Sequence, residues 1–176
     1  IKMILYTSYV CFHCADFIRD TLPILKEKYI DAGKLLIVFR TFALDSEDFK
    51  AAKIAQCYIE GKYCNASSCP VVGCCDNRNY LRMMNILFNS SLSSGATKTL
   101  NIINNIAHVN FMNYDEIDNC MKDKNLELKV LTTKLMAIKS LKMQGTPYMI
   151  IDGKHYQGIK NLEFFEKLFD EKIENK

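Results

Sequence analysis

The chain has 176 residues, of which 24% are charged and 49% hydrophobic, with a formal net charge of +3. That length holds one domain, or one domain carrying a sizeable insertion, and it buries a real core. The small basic excess is spread along the chain, which argues against nucleic acid as a partner, and no apolar run approaches the roughly 18–20 residues needed to cross a bilayer.

The first predicted element is a strand over residues 2–7, and Cys11-Phe12-His13-Cys14 follows it directly. No signal peptide is visible, and a chain that opens almost inside its first strand reads as a trimmed mature form. Residues 12–31 read as a long helix, with Ala15, Phe17, Ile18, Leu22, Leu25 and Tyr29 at helical spacing. Pro23 predicts a kink in it, because the ring removes a donor and clashes with the preceding turn. The run Leu35-Leu36-Ile37-Val38-Phe39 is continuously apolar, as in a strand covered on both faces.

The middle of the chain changes character. Helices are predicted near 46–60, 79–88, 97–107, 114–122 and 124–143, with an irregular, cysteine-rich segment at 62–78. In the last of these helices Leu126, Val130, Leu131, Leu135 and Ile138 recur at helical intervals. Strands return at Tyr148-Met149-Ile150-Ile151 and Lys154-His155-Tyr156-Gln157 around the hairpin turn Asp152-Gly153. An amphipathic helix over 161–173 closes the order. The pattern is one α/β unit, residues 1–42 and 143–176, interrupted by a helical insertion at 43–142.

The chemistry concentrates in the cysteines. The chain has 8, a number that favours an oxidising compartment. Alone, Cys11 and Cys14 are compatible with half a zinc site, a structural bridge or a redox pair. Their place after a strand and at the start of a helix favours redox chemistry. Cys11 at the helix N-terminus meets unpaired backbone N–H groups that stabilise a thiolate. Cys14, one turn further in, is the more buried and less acidic thiol. His13, when protonated, adds positive charge beside Cys11, while Phe12 is either a substrate-facing contact or filler.

Two motifs together resemble the DsbA family of thioredoxin-fold thiol–disulfide oxidoreductases. They are Tyr9-Val10-Cys11-Phe12-His13-Cys14 after the first strand and Gly145-Thr146-Pro147-Tyr148 before the hairpin. The resemblance covers essentially the whole chain in order of elements. It implies an α/β class, a thioredoxin fold with an inserted α-helical domain. It implies that Pro147 is cis and packs beside the thiols, and that the Thr146 backbone pairs with substrate. It also implies an exported, periplasmic enzyme that introduces or exchanges disulfides in unfolded or partly folded proteins bearing thiols. A membrane redox partner would restore its working state, and no cofactor is required because the electrons reside in the two sulfurs.

Two positions depart from the family pattern. Leu5 stands where the type member has a buried glutamate, which implies a different redox poise. Thr146 replaces a valine and looks more like the isomerase and reductase relatives. A disulfide isomerase or reductase is therefore the alternative direction of the same chemistry. A metal-binding protein and a non-catalytic peptide-binding module on the same fold are the alternatives from other classes.

The remaining cysteines read as structural. The resemblance pairs Cys57 with Cys120, between helices of the insertion. Cys64, Cys69, Cys74 and Cys75 then remain; adjacent Cys74 and Cys75 rarely bond each other, so each reaches back to Cys64 or Cys69. Two staples across an irregular loop is the plain reading, and a metal cluster the competing one, although the spacings lack the usual two-residue pairs. His108 and His155 have no evident partner in the sequence and read as solvated or hydrogen-bonded strand and loop residues.

Overall fold

A computed structural model of the chain describes residues 1–60, 77–91, 101, 103–106 and 112–175. Cys64, Cys69, Cys74, Cys75 and His108 lie outside them. Strand β1 (Lys2–Thr7) alternates Met3, Leu5 and Thr7 into the core, the period-2 pattern of a pleated strand. It is paired on both sides. β2 (Leu36–Thr41) runs parallel to it with Leu5 opposite Phe39, and β3 (Tyr148–Ile151) runs antiparallel with Leu5 opposite Met149. β4 (Lys154–Gln157) completes the order β2-β1-β3-β4. The β3–β4 turn places Asp152 (φ 45°) and Gly153 (φ 83°) in the left-handed region, which a two-residue hairpin requires.

The apolar run before residue 40 does not mark a strand covered on both faces. β2 is an edge strand, Leu36 is 58% exposed, and Ile37, Val38 and Phe39 are half-buried. Helices give each face partial cover, so apolar side chains persist on both without full burial.

Helix α1 spans residues 12–30 and changes its winding along the way. Phe12–Asp16 and Leu22–Leu25 are α-helical, while Phe17–Thr21 and Lys26–Ile30 are π-helical. Pro23 sits in the first turn of the Leu22–Leu25 piece, after the wider π turn. That widening relieves the clash between a proline ring and the preceding turn, so the rearrangement takes the form of altered winding. The inner face of α1 meets α6 (Leu162–Glu174) through Phe17 against Phe165 and Tyr29 against Phe169.

Between β2 and β3 the described residues contain no strand. They include α2 (Ser46–Ile59), α3 (Asn77–Ser91), α4 (Tyr114–Lys122) and α5 (Lys124–Leu141), together with helical backbone at 103–106. Asp45 caps α2, and Asn113 with Glu116 forms a reciprocal capping box on α4. Ile54, Met83, Met84, Leu87, Ile117 and Leu126 are buried in one continuous core with Met3, Leu5 and Leu25. α5 turns Leu126, Val130 and Ala137 inward. Leu131, Leu135 and Ile138 belong to a second stripe and are 40%, 51% and 41% exposed. The sequence periodicity had merged these two faces.

Candidate active site

β1 carries the chain into a tight connection, Ser8 to Val10, that ends at the first turn of α1. The Cys11 N–H donates to the Ser8 carbonyl at 3.1 Å. Cys11 is the N-cap of α1, with extended backbone (φ −89°, ψ 113°). Its sulfur takes the place of a capping oxygen, accepting from the Cys14 N–H at 3.3 Å. Its carbonyl accepts from Cys14 and Ala15 at 3.1 and 3.0 Å. Cys11 is only 9% exposed, Cys14 is fully buried, and both are free thiols. Phe12, 68% exposed, and His13 stand on the solvent side of the same turn.

The Thr146–Pro147 peptide bond is cis. Thr146 faces the pair: the Cys11 thiol donates to its carbonyl at 3.4 Å. The Thr146 hydroxyl is buried and makes no regular hydrogen bond to the protonated thiols, yet it lies close enough to favour the anion of either sulfur. Pro147 is buried, and its carbonyl accepts from Gly158 N–H at 2.9 Å, tying the bend to the end of β4. A small apolar cluster of Phe42, Ala137, Met143 and Tyr148 lies under this bend. His155 Nδ1 lies 2.7 Å from the Tyr148 hydroxyl, so its partner is cross-strand rather than part of the thiol site.

The two thiols have opposite acidities. The Cys14 side chain, hydrogen-bonding to the Cys11 sulfur, is the main cause that brings Cys11 down from its ordinary value to about 6. Burial opposes this; the Thr146 hydroxyl, the Cys14 backbone N–H and, least, the charge of His13 assist it. Burial pushes the Cys14 thiol far up, and the hydrogen bond and negative charge of Cys11 push it further. The result is one accessible sulfur that is anionic at neutral pH over a second that keeps its proton.

Two residues beside the pair carry no motif in the sequence. Asp48, in the first turn of α2, is fully buried and accepts from the Tyr9 N–H at 2.8 Å and the Leu44 N–H at 2.7 Å. Ser8 is also fully buried; its hydroxyl oxygen accepts from the Val10 N–H at 3.3 Å, and its side chain favours the ionised form of Asp48. In the sequence, Asp45-Ser46-Glu47-Asp48 reads as an ordinary acidic helix start, so nothing separates Asp48 from its neighbours. Away from this site, Cys57 on α2 and Cys120 on α4 form a disulfide with a Cα–Cα distance of 5.9 Å.

The chain is similar in sequence and fold to known proteins. Residues 1–171 match the family model described as thioredoxin. A Rickettsia typhi protein named "Putative protein-disulfide oxidoreductase" is 28% identical over 150 residues, covering 84% of this chain and 49% of that protein. The chain thus spans about half the length of the curated relatives it matches. The crystal structure of Wolbachia pipientis alpha-DsbA1 superposes with a TM-score of 0.79 at 30% identity, covering 97% of this chain and 84% of that one. Chlamydia trachomatis DsbA shares the fold, with a TM-score of 0.75 at 9% identity and coverage of 99% and 87%. With a family model along nearly its whole length and this likeness to alpha-DsbA1, the chain belongs to the thioredoxin family, among its DsbA-type members with a helical insertion.

Proposed function

We propose that this chain is a thiol–disulfide oxidoreductase acting on proteins that bear thiols, with Cys11 as the exchanging sulfur and Cys14 as the resolving one. The observation that carries the reading is geometric: the Cys11 sulfur caps a helix start directly over buried Cys14 and lies 3.4 Å from the Thr146 carbonyl of a cis Thr146–Pro147 bend. In the oxidising direction a substrate thiolate attacks Cys11 of the Cys11–Cys14 disulfide. That bond breaks, and Cys14 leaves with the electron pair and takes a proton. A second substrate thiolate then attacks the substrate sulfur of the mixed disulfide and displaces Cys11 as a thiolate. The substrate gains a disulfide, and two electrons remain on the pair. A stable Cys11 thiolate favours this direction, because it lowers the free energy of the reduced protein.

The neighbouring groups divide the remaining work. Phe12 offers exposed apolar surface to the incoming chain. The Thr146 backbone supplies strand-like hydrogen bonds, and Pro147 fixes the bend that presents them. His13 favours the Cys11 anion through its charge. The setting is an exported, periplasmic one, where a membrane redox partner removes the electrons. The Thr146 hydroxyl beside both sulfurs keeps isomerisation or reduction of substrate disulfides as the reverse use of the same atoms.

The test is to equilibrate the pair with glutathione while following Cys11 alkylation against pH, and to assay oxidation of a reduced dithiol peptide beside recovery of a scrambled protein. An alkylation midpoint near 6 with rapid peptide oxidation supports the oxidase reading. Recovery of the scrambled protein without peptide oxidation reassigns it as an isomerase. A midpoint at the ordinary thiol value removes it.

A further inference from the structure

We propose that Asp48 is a positioning residue for the redox pair: from the first turn of α2, its buried carboxylate holds the Tyr9 backbone, and through it the turn that presents both sulfurs. This rests on the functional reading above. Oδ1 of Asp48 accepts from the Tyr9 N–H at 2.8 Å, and the neighbouring Ser8 side chain favours the ionised form of the same carboxylate. The Ser8 oxygen in turn accepts from the Val10 N–H at 3.3 Å. The Ser8 carbonyl accepts from Cys11 N–H at 3.1 Å. The Ser8 backbone also favours the Cys14 anion. Tyr9 and Ser8 therefore stand between the carboxylate and the Cys11 backbone.

Capping α2 does not account for this. Asp45 already caps that helix by accepting from the Asp48 N–H at 2.8 Å. Closing the β2–α2 connection needs only the Leu44 bond. The bond to Tyr9 crosses to a different part of the chain, 39 residues away. Both carboxylate oxygens meet backbone N–H donors, so the ionised form fits and an amide would turn a donor onto a donor. Burial and the nearby Asp45 charge raise the affinity of Asp48 for a proton, while Ser8, Leu44 and Tyr9 lower it. The β1–α1 connection presents only uncharged Ser8 and Tyr9 to it, and α3 contributes Met84, whose sulfur accepts from the Tyr9 hydroxyl at 3.4 Å. Acidification therefore releases the hold on the turn from above the usual carboxylate range.

The test compares Asp48→Asn and Ser8→Ala with the parent chain, reading Cys11 alkylation against pH and the equilibrium with glutathione. Loss of positioning moves the Cys11 midpoint up by about half a pH unit or more, and shifts the glutathione equilibrium about threefold or more toward the disulfide. Ser8→Ala moves both in the same direction while leaving the carboxylate in place. A downward shift in Asp48→Asn overturns the proposal, because it means that the carboxylate acts on the sulfurs only by repulsion through space. Unchanged midpoints in folded variants overturn it too, and leave Asp48 as a structural bond alone. If Asp48→Asn fails to fold, the Ser8→Ala midpoint decides. A parent midpoint at the ordinary thiol value would instead remove the functional reading on which the proposal rests.

Discussion

Cys11–Cys14 stands where β1 enters α1, and Cys57–Cys120 bridges α2 to α4; the two pairs contain the same atoms in opposite settings. Cys57 and Cys120 sit within α2 and α4, at 1% and 0% exposure, away from either helix N-terminus. Their bond closes a loop with a sequence separation of 63. Cys11 stands at the one place in a helix where N–H groups lack partners, and it faces the cis Thr146–Pro147 bend. A cysteine pair becomes a staple or a tool according to which backbone donors remain free around it.

The largest expected effect breaks the comparison outright. Cys11→Ser brings thiol exchange to background, measured as oxidation of a dithiol peptide. The double variant Cys57→Ala/Cys120→Ala retains exchange but loses about 4 kcal/mol of stability by denaturant unfolding, the chain-entropy figure for a loop of that size. Loss of exchange in the double variant, with the fold intact, would erase the distinction between the two pairs.

Next in size is the pH dependence. Cys11 is depressed to about 6 in the folded chain and returns to its ordinary value on unfolding. The unfolded reduced chain therefore binds more protons between these values. The contribution of Cys11 to stability is complete above the ordinary thiol value and is lost as pH falls through about 6. Unfolding of the reduced protein from pH 5 to 9 should show stability rising with pH. Cys11→Ser removes that contribution, and its profile should be flatter.

A smaller effect isolates one donor. Thr146→Val removes the buried hydroxyl that favours the Cys11 anion, so the alkylation midpoint rises above about 6 and thiolate attack at pH 6 slows. An unchanged midpoint would assign the hydroxyl to packing alone. The smallest effect is a control far from both pairs. Gly153→Ala at the β3–β4 turn, where φ is 83°, costs about 1 kcal/mol and leaves the Cys11 midpoint in place.

Much of this was legible in the residues because local chemistry and global fold agree there. The short apolar run of β1, the helical spacing in α1 and the Asp152-Gly153 turn each point to one local structure, and their order gives the class. Leu36 and the outer stripe of α5 were read less well, since apolar spacing reports that a face is hydrophobic but not what covers it. The resemblance, rather than spacing, singled out the Thr146–Pro147 bend and the Cys57–Cys120 pair. Asp48 and Ser8 were not legible. A buried hydrogen bond across 39 residues leaves no periodic trace, and an aspartate in a first turn looks the same whether it faces water or a neighbouring loop.

The sulfur of Cys11 is also the N-cap of α1, and this dual use bears on turnover. A thiolate is a good acceptor for the Cys14 N–H, whereas a sulfur shared with a guest chain is a poor one. In the exchange proposed above, departure of the guest restores the Cys11 thiolate as acceptor of the Cys14 N–H, so the helix cap itself favours release.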